Sequence, residues 1–452
     1  MDQRKGAAML EGLIKQAVDE VFDRLSKMQS VKHLFMVDGF SFLRMGAIGE
    51  RARTGQPLSE PYGSTRRFLD FNELMFLPVQ LSRFPLDNHQ AVKTDVTIGK
   101  RATRPLRVST PIMITGMAFG SALSKKAKIA LAKASTLANT ATNSGESGFM
   151  PEEREAAANY IVQWNRGRWS NRMEDLPKVD AVEIQVGQGA EGSLGNRVKA
   201  ENIREDFRVH LGLQPGQDAV RPARFRHIDD PSQFKGMVDE LREASGGAPI
   251  GLKFAASRIE EDCEVAIQAG VDFITIDGAQ GGSGGGREVT INNAGVPLVY
   301  AIPRAHRYLQ ERGVRDQIDL IVTGGLRDAG DFLKAMALGA DAVYIGESAL
   351  LAMIFHQLEK MAPGTNPAQL FLYTGEYADQ LDVDAGAQAV ANFIKASTTE
   401  MQLLAQTVGK DDLHKVDRDD MVALSREIAE ITGVQLAYMP QEVRTPPVPV
   451  LQ

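Results

Sequence analysis

The chain has 452 residues, of which 43% are hydrophobic and 24% are charged, as is typical of a globular protein with a large core. Its formal net charge of −7 gives no whole-chain case for nucleic-acid binding, and its single cysteine excludes internal disulfides and any all-cysteine metal or iron–sulfur site. There is no apolar run of about 18 residues and no signal-peptide core at the start. We therefore expect a cytoplasmic protein without membrane helices.

Residues 1–104 are predicted to form an N-terminal extension without chemistry of its own. Apolar side chains recur at helical spacing over residues 8–28, which predicts an amphipathic helix. An aromatic-rich stretch follows. It could cover a core or bind a partner, and we expect packing.

From residue 105 the pattern changes to strands that alternate with helices. A capping signal at Asp230 predicts the start of a helix that stops at Gly246. Two further helices are predicted, from about residue 259 to 269 and from 331 to 338. The first of these places Cys263 on its buried face, as a small hydrophobe rather than a nucleophile. The predicted strands are 112–115, 140–143, 160–163, 181–186, 250–254, 273–276, 320–323 and 342–345.

Eight such strands over residues 105–355 predict an α/β fold, a closed (β/α)8 (TIM) barrel, and an open doubly wound sheet is the competing architecture. In a barrel the chemistry lies at the carboxyl ends of the strands, with a frequent phosphate site after strands seven and eight. Residues 356–452 are predicted to form a C-terminal helical segment, with a helical run from Asp411 to Gly433, and a Pro-rich tail.

Three glycine-bearing strand ends carry the strongest functional signal. Six of the ten residues from Asp277 to Gly286 are glycine, and Gly324-Gly325 and Gly346-Glu347 follow two later strands. Glycine permits positive φ and lets backbone N–H groups approach a ligand closely, so these loops could wrap a phosphate or an aromatic ring. A flexible surface loop is the alternative for each.

Polar side chains end several other predicted strands. Asn143 and Glu146 follow the second strand, where Glu146 could bind an amine or a ligand hydroxyl, although Asn, Ser and Gly also favour plain turns. Gln185 and Gln188 offer both a donor and an acceptor at the end of a strand, as the edge of a pyrimidine ring requires. The turn that begins at Thr115 could face a flat ring or could be a simple strand–helix connection.

Lys253 is the most telling single residue, because it lies inside an apolar strand. A buried ammonium without a partner is very costly, so Lys253 either pairs with a structural carboxylate or faces the active site. We favour the role in the site. None of the seven histidines forms a metal-like pair, and no metal ligands are predicted.

These stretches, in this order, resemble the flavin-binding barrel domain of the glutamate synthase family, in a stand-alone branch. The resemblance covers about residues 105–355 and rests on the segments 115–120, 141–146, 183–190, 251–254 and 277–284. It implies FMN as the cofactor, with the Gly116–Gly120 turn against the flavin and the glycine loops around its phosphate. The implied catalytic residues are Lys253, Gln188 and Glu146. The implied cofactor-binding residues are Thr115, Gly116, Met117, Asn143, Gln188, Lys253, Asp277, Gly281, Gly282, Gly284, Gly324, Gly325, Gly346 and Glu347.

The chain also departs from that family. The cysteine cluster that usually follows the last barrel strand is absent, and no amidotransferase domain with a catalytic cysteine precedes the barrel, so glutamine hydrolysis is not expected. Many members carry Lys at position 185, where this chain has Gln, and Lys-Pro-Gly where it has Glu191-Gly-Ser193. The acid-binding part of the pocket is therefore expected to differ.

The resemblance implies an oxidoreductase that acts on CH-NH2 groups and transfers hydride between flavin N5 and a 2-imino or 2-amino acid such as 2-iminoglutarate or glutamate. Ammonia or an amine would come from solution or from a partner, for which an amidotransferase and a reductase are candidates. The alternatives are an N-methylglutamate synthase-like subunit, another flavin-barrel dehydrogenase, a barrel that binds a phosphorylated metabolite without flavin, and a non-catalytic scaffold subunit. Self-association into a homo-oligomer is expected.

Overall fold

A computed structural model describes residues 42–58, 64, 66–189, 191–283 and 286–440. The predicted helix over residues 8–28, Gly284 and most of the Pro-rich tail lie outside the described residues. Within the described ranges, no helix combines the length and the apolar character needed to cross a bilayer.

Eight parallel strands close into a barrel in the described chain. The order around it is β4-β5-β6-β7-β10-β11-β12-β13, and β13 pairs with β4 to complete the circle. Each of these strands overlaps one of the eight predicted strands, so the predicted (β/α)8 barrel is confirmed and the open sheet is excluded. The described strands are β1 (Leu74–Phe76), β2 (Val96–Ile98), β3 (Leu106–Val108), β4 (Ile112–Ile114), β5 (Ala141–Asn143), β6 (Asn159–Asn165), β7 (Ala181–Gln185), β8 (Asn196–Val198), β9 (Ala219–Arg221), β10 (Ile250–Ala255), β11 (Phe273–Asp277), β12 (Asp319–Thr323), β13 (Ala342–Ile345) and β14 (Met421–Ala423).

The helices begin and end largely where local sequence signals predict. Asp230 and Gln233 form a capping box before the fifth described helix, and Gly270 adopts a left-handed conformation directly after the sixth, on which Cys263 is buried. The described α-helices are α1 (Phe42–Thr54), α2 (Lys125–Leu137), α3 (Pro151–Ala156), α4 (Glu205–Leu211), α5 (Phe234–Ala244), α6 (Ile259–Ala269), α7 (Glu288–Ile291), α8 (Leu298–Glu311), α9 (Ala329–Ala337), α10 (Glu347–Ile354), α11 (Val383–Thr407) and α12 (Arg426–Thr432).

An antiparallel hairpin of β2 and β3 closes one end of the barrel. Its apolar side chains share a buried cluster with Phe273 and Tyr344 from the barrel interior. The backbone N–H of Gly99, just after β2, donates to Asp319 Oδ2 at 2.6 Å, and Asp319 is the first residue of β12. The hairpin therefore covers the amino ends of the strands and leaves the carboxyl ends for a ligand site.

The C-terminal part of the chain differs from its prediction in one respect. The predicted helical run from Asp411 to Gly433 is wrong, because α12 begins only at Arg426. The side chains of Asp412 and Asp417 instead accept backbone N–H groups and cap two short 3-10 turns, and β14 then pairs with β1. The predicted domain limits at 104 and 355 stay a prediction.

A buried ion pair supports the loop that follows β5. Lys128 on α2 lies 2.7 Å from Glu153 on α3, and both side chains are fully buried. Lys128 Nζ also donates to the carbonyl oxygens of Asn143 and Ser144, at 3.2 and 3.1 Å. Burial raises the pKa of Glu153, and the neighbouring Lys128 opposes that rise. One ammonium group thus fixes the backbone of the Asn143–Ser144 turn.

We expect Lys128→Met to destabilise the protein by about 3–5 kcal/mol, because it leaves Glu153 buried without its cation. The folded-state pKa of Glu153 then rises further, so the protonated form is favoured by folding. The loss of stability should be smallest in acid, and it should grow as the pH rises above about 4.3, the ordinary pKa of glutamate. Urea unfolding at several pH values measures it.

The matched control is Lys125→Met on the same helix, where Lys125 and Glu152 form an ion pair that is about half exposed. That variant should lose no more than about 1 kcal/mol at any pH. Equal losses in the two variants would contradict the role given to the buried pair.

Candidate active site

A cavity of about 1360 Å³ opens at the carboxyl ends of the barrel strands. It is lined by residues from loops that are far apart in the sequence, and these include most of the predicted site residues. Asn143 lies beneath the cavity, and Gly284 lies outside the described residues. The predicted site residues that line the cavity are Thr115, Gly116, Met117, Glu146, Gln188, Lys253, Asp277, Gly281, Gly282, Gly324, Gly325, Gly346 and Glu347.

The floor of the cavity is a buried hydrogen-bond network centred on Glu183. Its carboxylate accepts from Asn143 Nδ2 at 2.9 Å, from Gln163 Nε2 at 2.8 Å and from Thr275 Oγ1 at 2.8 Å. A Cβ atom on Gly116 would lie only 2.8 Å from Asn143 Oδ1 and 2.7 Å from Gln163 Nε2. The Gly116 turn therefore rests directly on the floor, and Asn143 supports that turn from below.

Lys253 has a carboxylate partner and also lines the cavity. Its Nζ atom lies 3.4 Å from Asp277 Oδ2, and both side chains are at least nine-tenths buried while both residues line the cavity. Burial raises the pKa of Asp277, and the ammonium of Lys253 opposes that rise. The pair gives the cavity a fixed ammonium group held by a structural carboxylate.

Two glutamines extend the polar wall from the end of β7. Gln185 is fully buried, and its Nε2 atom lies 3.4 Å from Gln188 Oε1. Gln185 Oε1 receives no hydrogen bond from the residues that the structure describes. Gln188 itself reaches the cavity, so an amide donor and acceptor are available beside Lys253.

The other side of the cavity is built from backbone. Gly324 and Gly325 have φ values of +114° and +75°, and a Cβ atom on Gly325 would lie 2.6 Å from Gln280 Cβ. Helix α10 starts at Glu347, directly after Gly346, and its first residues line the cavity. Backbone N–H groups in a first helical turn have no partner within the helix, so this end favours an anion.

A buried arginine at the polar end is not among the predicted site residues. Arg221 lies on β9, and its guanidinium contacts Glu146 with one Nη atom and Glu191 with the other. Ser283 Oγ donates to Glu191 at 2.8 Å. Burial raises the pKa of Glu191 and lowers that of Arg221 to about 10. The cost of burying an unpaired cation, which drew attention to Lys253, applies equally to Arg221. The sequence did not indicate Arg221, because β8 and β9 were not predicted as strands.

Residues 60–411 match the family model described as the conserved region in glutamate synthase. The chain belongs to the glutamate synthase family. It is 33% identical over 417 residues to a glutamate synthase large subunit-like protein of Rhizobium meliloti (strain 1021), a match that covers 88% of this chain and 94% of that protein. The resemblance drawn from the motifs is therefore confirmed.

Other members of the glutamate synthase family are longer than this chain. An archaeal glutamate synthase (NADPH) of Methanocaldococcus jannaschii is 33% identical over 338 residues, which cover 74% of this chain and 66% of that protein. An archaeal-type glutamate synthase (NADPH) of Thermotoga sp. (strain RQ2) is 32% identical over 306 residues, which cover 67% of this chain and 60% of that protein. This chain thus spans less than two thirds of some curated relatives.

The fold is also similar to that of a lactate oxidase from Pediococcus acidilactici. The two superpose with a TM-score of 0.50 at 15% identity, over 78% of this chain and 84% of the oxidase. At that identity the likeness concerns the barrel fold alone.

Replacing Glu183 by Gln should destabilise the protein by roughly 3 kcal/mol, because an amide nitrogen would then face donors that now bind a carboxylate. Chemical denaturation measures the loss. The matched control is Glu205→Gln, an exposed glutamate paired with Arg208 on the surface, which should change stability by no more than about 0.5 kcal/mol. A Glu183→Gln variant as stable as this control would argue against the network as the support of the cavity floor.

Proposed function

We propose that this protein is an FMN-dependent oxidoreductase of the glutamate synthase type, which acts on a CH-NH2 group of a 2-amino or 2-imino acid such as glutamate or 2-iminoglutarate. The observation that carries the proposal is that one cavity is lined both by backbone N–H groups and by a buried ammonium beside an amide side chain. Backbone amides of Gly324, Gly325 and the start of α10 follow β12 and β13, whereas Lys253 lies on β10 and Gln188 follows β7, farther round the barrel. Ammonia or an amine would be supplied from solution or by a partner.

The residues present fit FMN. A phosphate would be held by the backbone N–H groups of Gly324-Gly325 and of the first turn of α10. The Gly116-Met117 turn, which admits no side chain at Gly116, offers a flat surface for a ring. Ligand pockets commonly measure about 300–1,000 Å³, so the observed cavity of about 1360 Å³ has room for a substrate beside the cofactor. When bound, FMN would supply the hydride-transfer chemistry at its N5 atom.

The side chains at the polar end have separate roles in this proposal. The ammonium of Lys253, kept in place by Asp277, would stabilise negative charge that develops on the pyrimidine side of the ring. Gln188 would orient the ring or the acid through its amide. Glu146 would accept a hydrogen bond from the substrate nitrogen, because it reaches the cavity from the loop after β5.

A second candidate is a subunit that works with a partner, such as an N-methylglutamate synthase-like subunit. The observation that favours it is the match over 94% of a relative named as large subunit-like. An amidotransferase or reductase partner, a homo-oligomeric state and a cytoplasmic location stay predictions. The two candidates share the cofactor and the cavity, and they differ in the nitrogen substrate.

The visible absorption spectrum of the purified protein, with the mass of the released chromophore, tests the cofactor. We expect a flavin spectrum and the mass of FMN. Anaerobic bleaching by glutamate, N-methylglutamate or NADPH then distinguishes substrate from electron donor. Lys253→Met should retain FMN and slow the bleaching by amino acid about 10²–10³-fold, the range for loss of one preorganised charge contact. Lys235→Met, an exposed lysine on α5, is the control.

A colourless protein that does not take up FMN on reconstitution would remove the oxidoreductase proposal. Normal bleaching by amino acid in Lys253→Met would remove Lys253 from the catalytic residues while leaving the cofactor in place.

The phosphate end is tested by Gly325→Ala. Its Cβ would collide with Gln280 and deform the loop, so we expect FMN affinity to fall at least about tenfold, or 1.4 kcal/mol. Gly313→Ala is a matched control, because Gly313 has a similar φ of +67° but a Cβ there would meet nothing within 4 Å. Both variants carry backbone strain, so only a loss of FMN affinity confined to Gly325→Ala supports a phosphate site at this loop. Fluorescence quenching of added FMN measures it.

A further inference from the structure

The Arg221 clamp joins four segments of the chain at the polar end of the cavity. Arg221 lies on β9, Glu146 follows β5, Glu191 follows β7 and Ser283 follows β11. The Arg221 side chain is fully buried, and those of Glu146 and Glu191 are more than nine-tenths buried. A planar guanidinium can serve two carboxylates at once, which a lysine ammonium cannot do in the same geometry.

The carboxylate oxygens of the clamp are not equivalent. Both oxygens of Glu191 are engaged, one by Arg221 and the other by Ser283. Glu146 Oε2 accepts from Arg221, whereas no described residue donates a hydrogen bond to Glu146 Oε1. Glu146 lines the cavity, and Oε1 is not among the fully buried atoms that lack a partner. Oε1 is therefore the oxygen of the clamp that a ligand can reach.

Charged groups other than Arg221 also act on the clamp. The cation of Arg166 lowers the pKa of Glu191, and the carboxylate of Asp277 raises it. Removing the adjacent cation from a buried carboxylate raises its pKa, and a second carboxylate nearby adds to that rise. Arg221 has a pKa lowered to about 10 by burial and so stays protonated at neutral pH, where it contacts both carboxylates.

We propose that Arg221 is a positioning residue that keeps Glu146 ionised and directs its Oε1 atom into the cavity as the acceptor for a protonated amine, a primary or secondary ammonium group. This deepens the proposed function, on which the assignment of that ammonium to the substrate nitrogen rests. Arg221 acts through Glu146 and does not itself touch the ligand. Glu191 and Ser283 anchor the other side of the guanidinium.

The test is calorimetric titration of the protein with methylammonium chloride over a range of pH, with tetramethylammonium chloride as a control that has no N–H donor. We expect the wild type to bind methylammonium in preference to the control, and to lose that binding only in acid as Glu146 is protonated. Glu146→Gln should abolish the preference at every pH.

Methylammonium binding falls at low pH, and Arg221→Met should move this acid limb of the binding profile upward by about one pH unit or more. The affinity for methylammonium at neutral pH then falls about tenfold and recovers at higher pH. A purely structural arginine would not shift that limb. Arg224→Met, three residues along and exposed beside Asp229, is the matched control and should leave the profile unchanged. An unshifted limb in folded Arg221→Met would overturn the proposal.

The double variant Glu191→Met with Arg221→Met keeps the local charge balance and guards against misfolding of the single variant. We expect an upward shift that is smaller than in Arg221→Met, because Glu146 again lacks the cation of Arg221 but no longer has a second carboxylate beside it. Wild-type binding in the double variant would overturn the positioning role. FMN content is read from the same samples, so a protein that holds FMN but shows no methylammonium preference overturns this inference alone, and a flavin-free protein that shows the preference overturns only the proposed function.

Discussion

The structure depends on a carboxylate that is buried inside the barrel. Glu183 on β7 is completely enclosed, and a charge in that position is tolerated only if hydrogen-bond donors surround it. The donors come from β5, β6 and β11, so a single group ties together strands from much of the barrel. The Gly116 turn then packs on two of those donors. The position of the Gly116 turn therefore depends on the hydrogen bonds that satisfy one buried charge.

The two ends of the cavity provide positive charge through different groups. At the glycine end the positive potential comes from backbone N–H groups and a helix start, which need no counter-ion. At the other end two buried cations have carboxylate partners, Lys253 with Asp277 and Arg221 with Glu146 and Glu191. Because side-chain rotamers are fixed by these pairs, the polar end is preorganised before a ligand arrives. An anionic phosphate and a nitrogen-bearing substrate therefore have separate places.

The sequence predicted the barrel well because buried parallel strands are short runs rich in apolar residues, and six of the eight predicted runs are followed by a glycine within two residues. It also indicated that Lys253, an ammonium in an apolar strand, needs either a carboxylate partner or a place in the site, and the residue has the partner and lines the cavity. The β8–β9 hairpin has strands of three residues with partly exposed faces, which give no apolar run to recognise. Arg221 and Glu146 are 75 residues apart, and periodicity carries no information about such pairings. The helix predicted over residues 411–433 was wrong because aspartate side chains that cap short turns compete with propagation of an α-helix.

The cavity is not made by the barrel alone. Residues of α11 and of the segment before it, among them Phe371, Ala389 and Phe393, line it opposite the strand ends, although they lie beyond the predicted barrel limit at 355. The family match likewise continues to residue 411, past the end of α11. A ligand that fills this cavity contacts both parts and binds only when both are folded together. Ligand binding and the docking of α11 onto the barrel are then thermodynamically linked, so each stabilises the other by the same free energy.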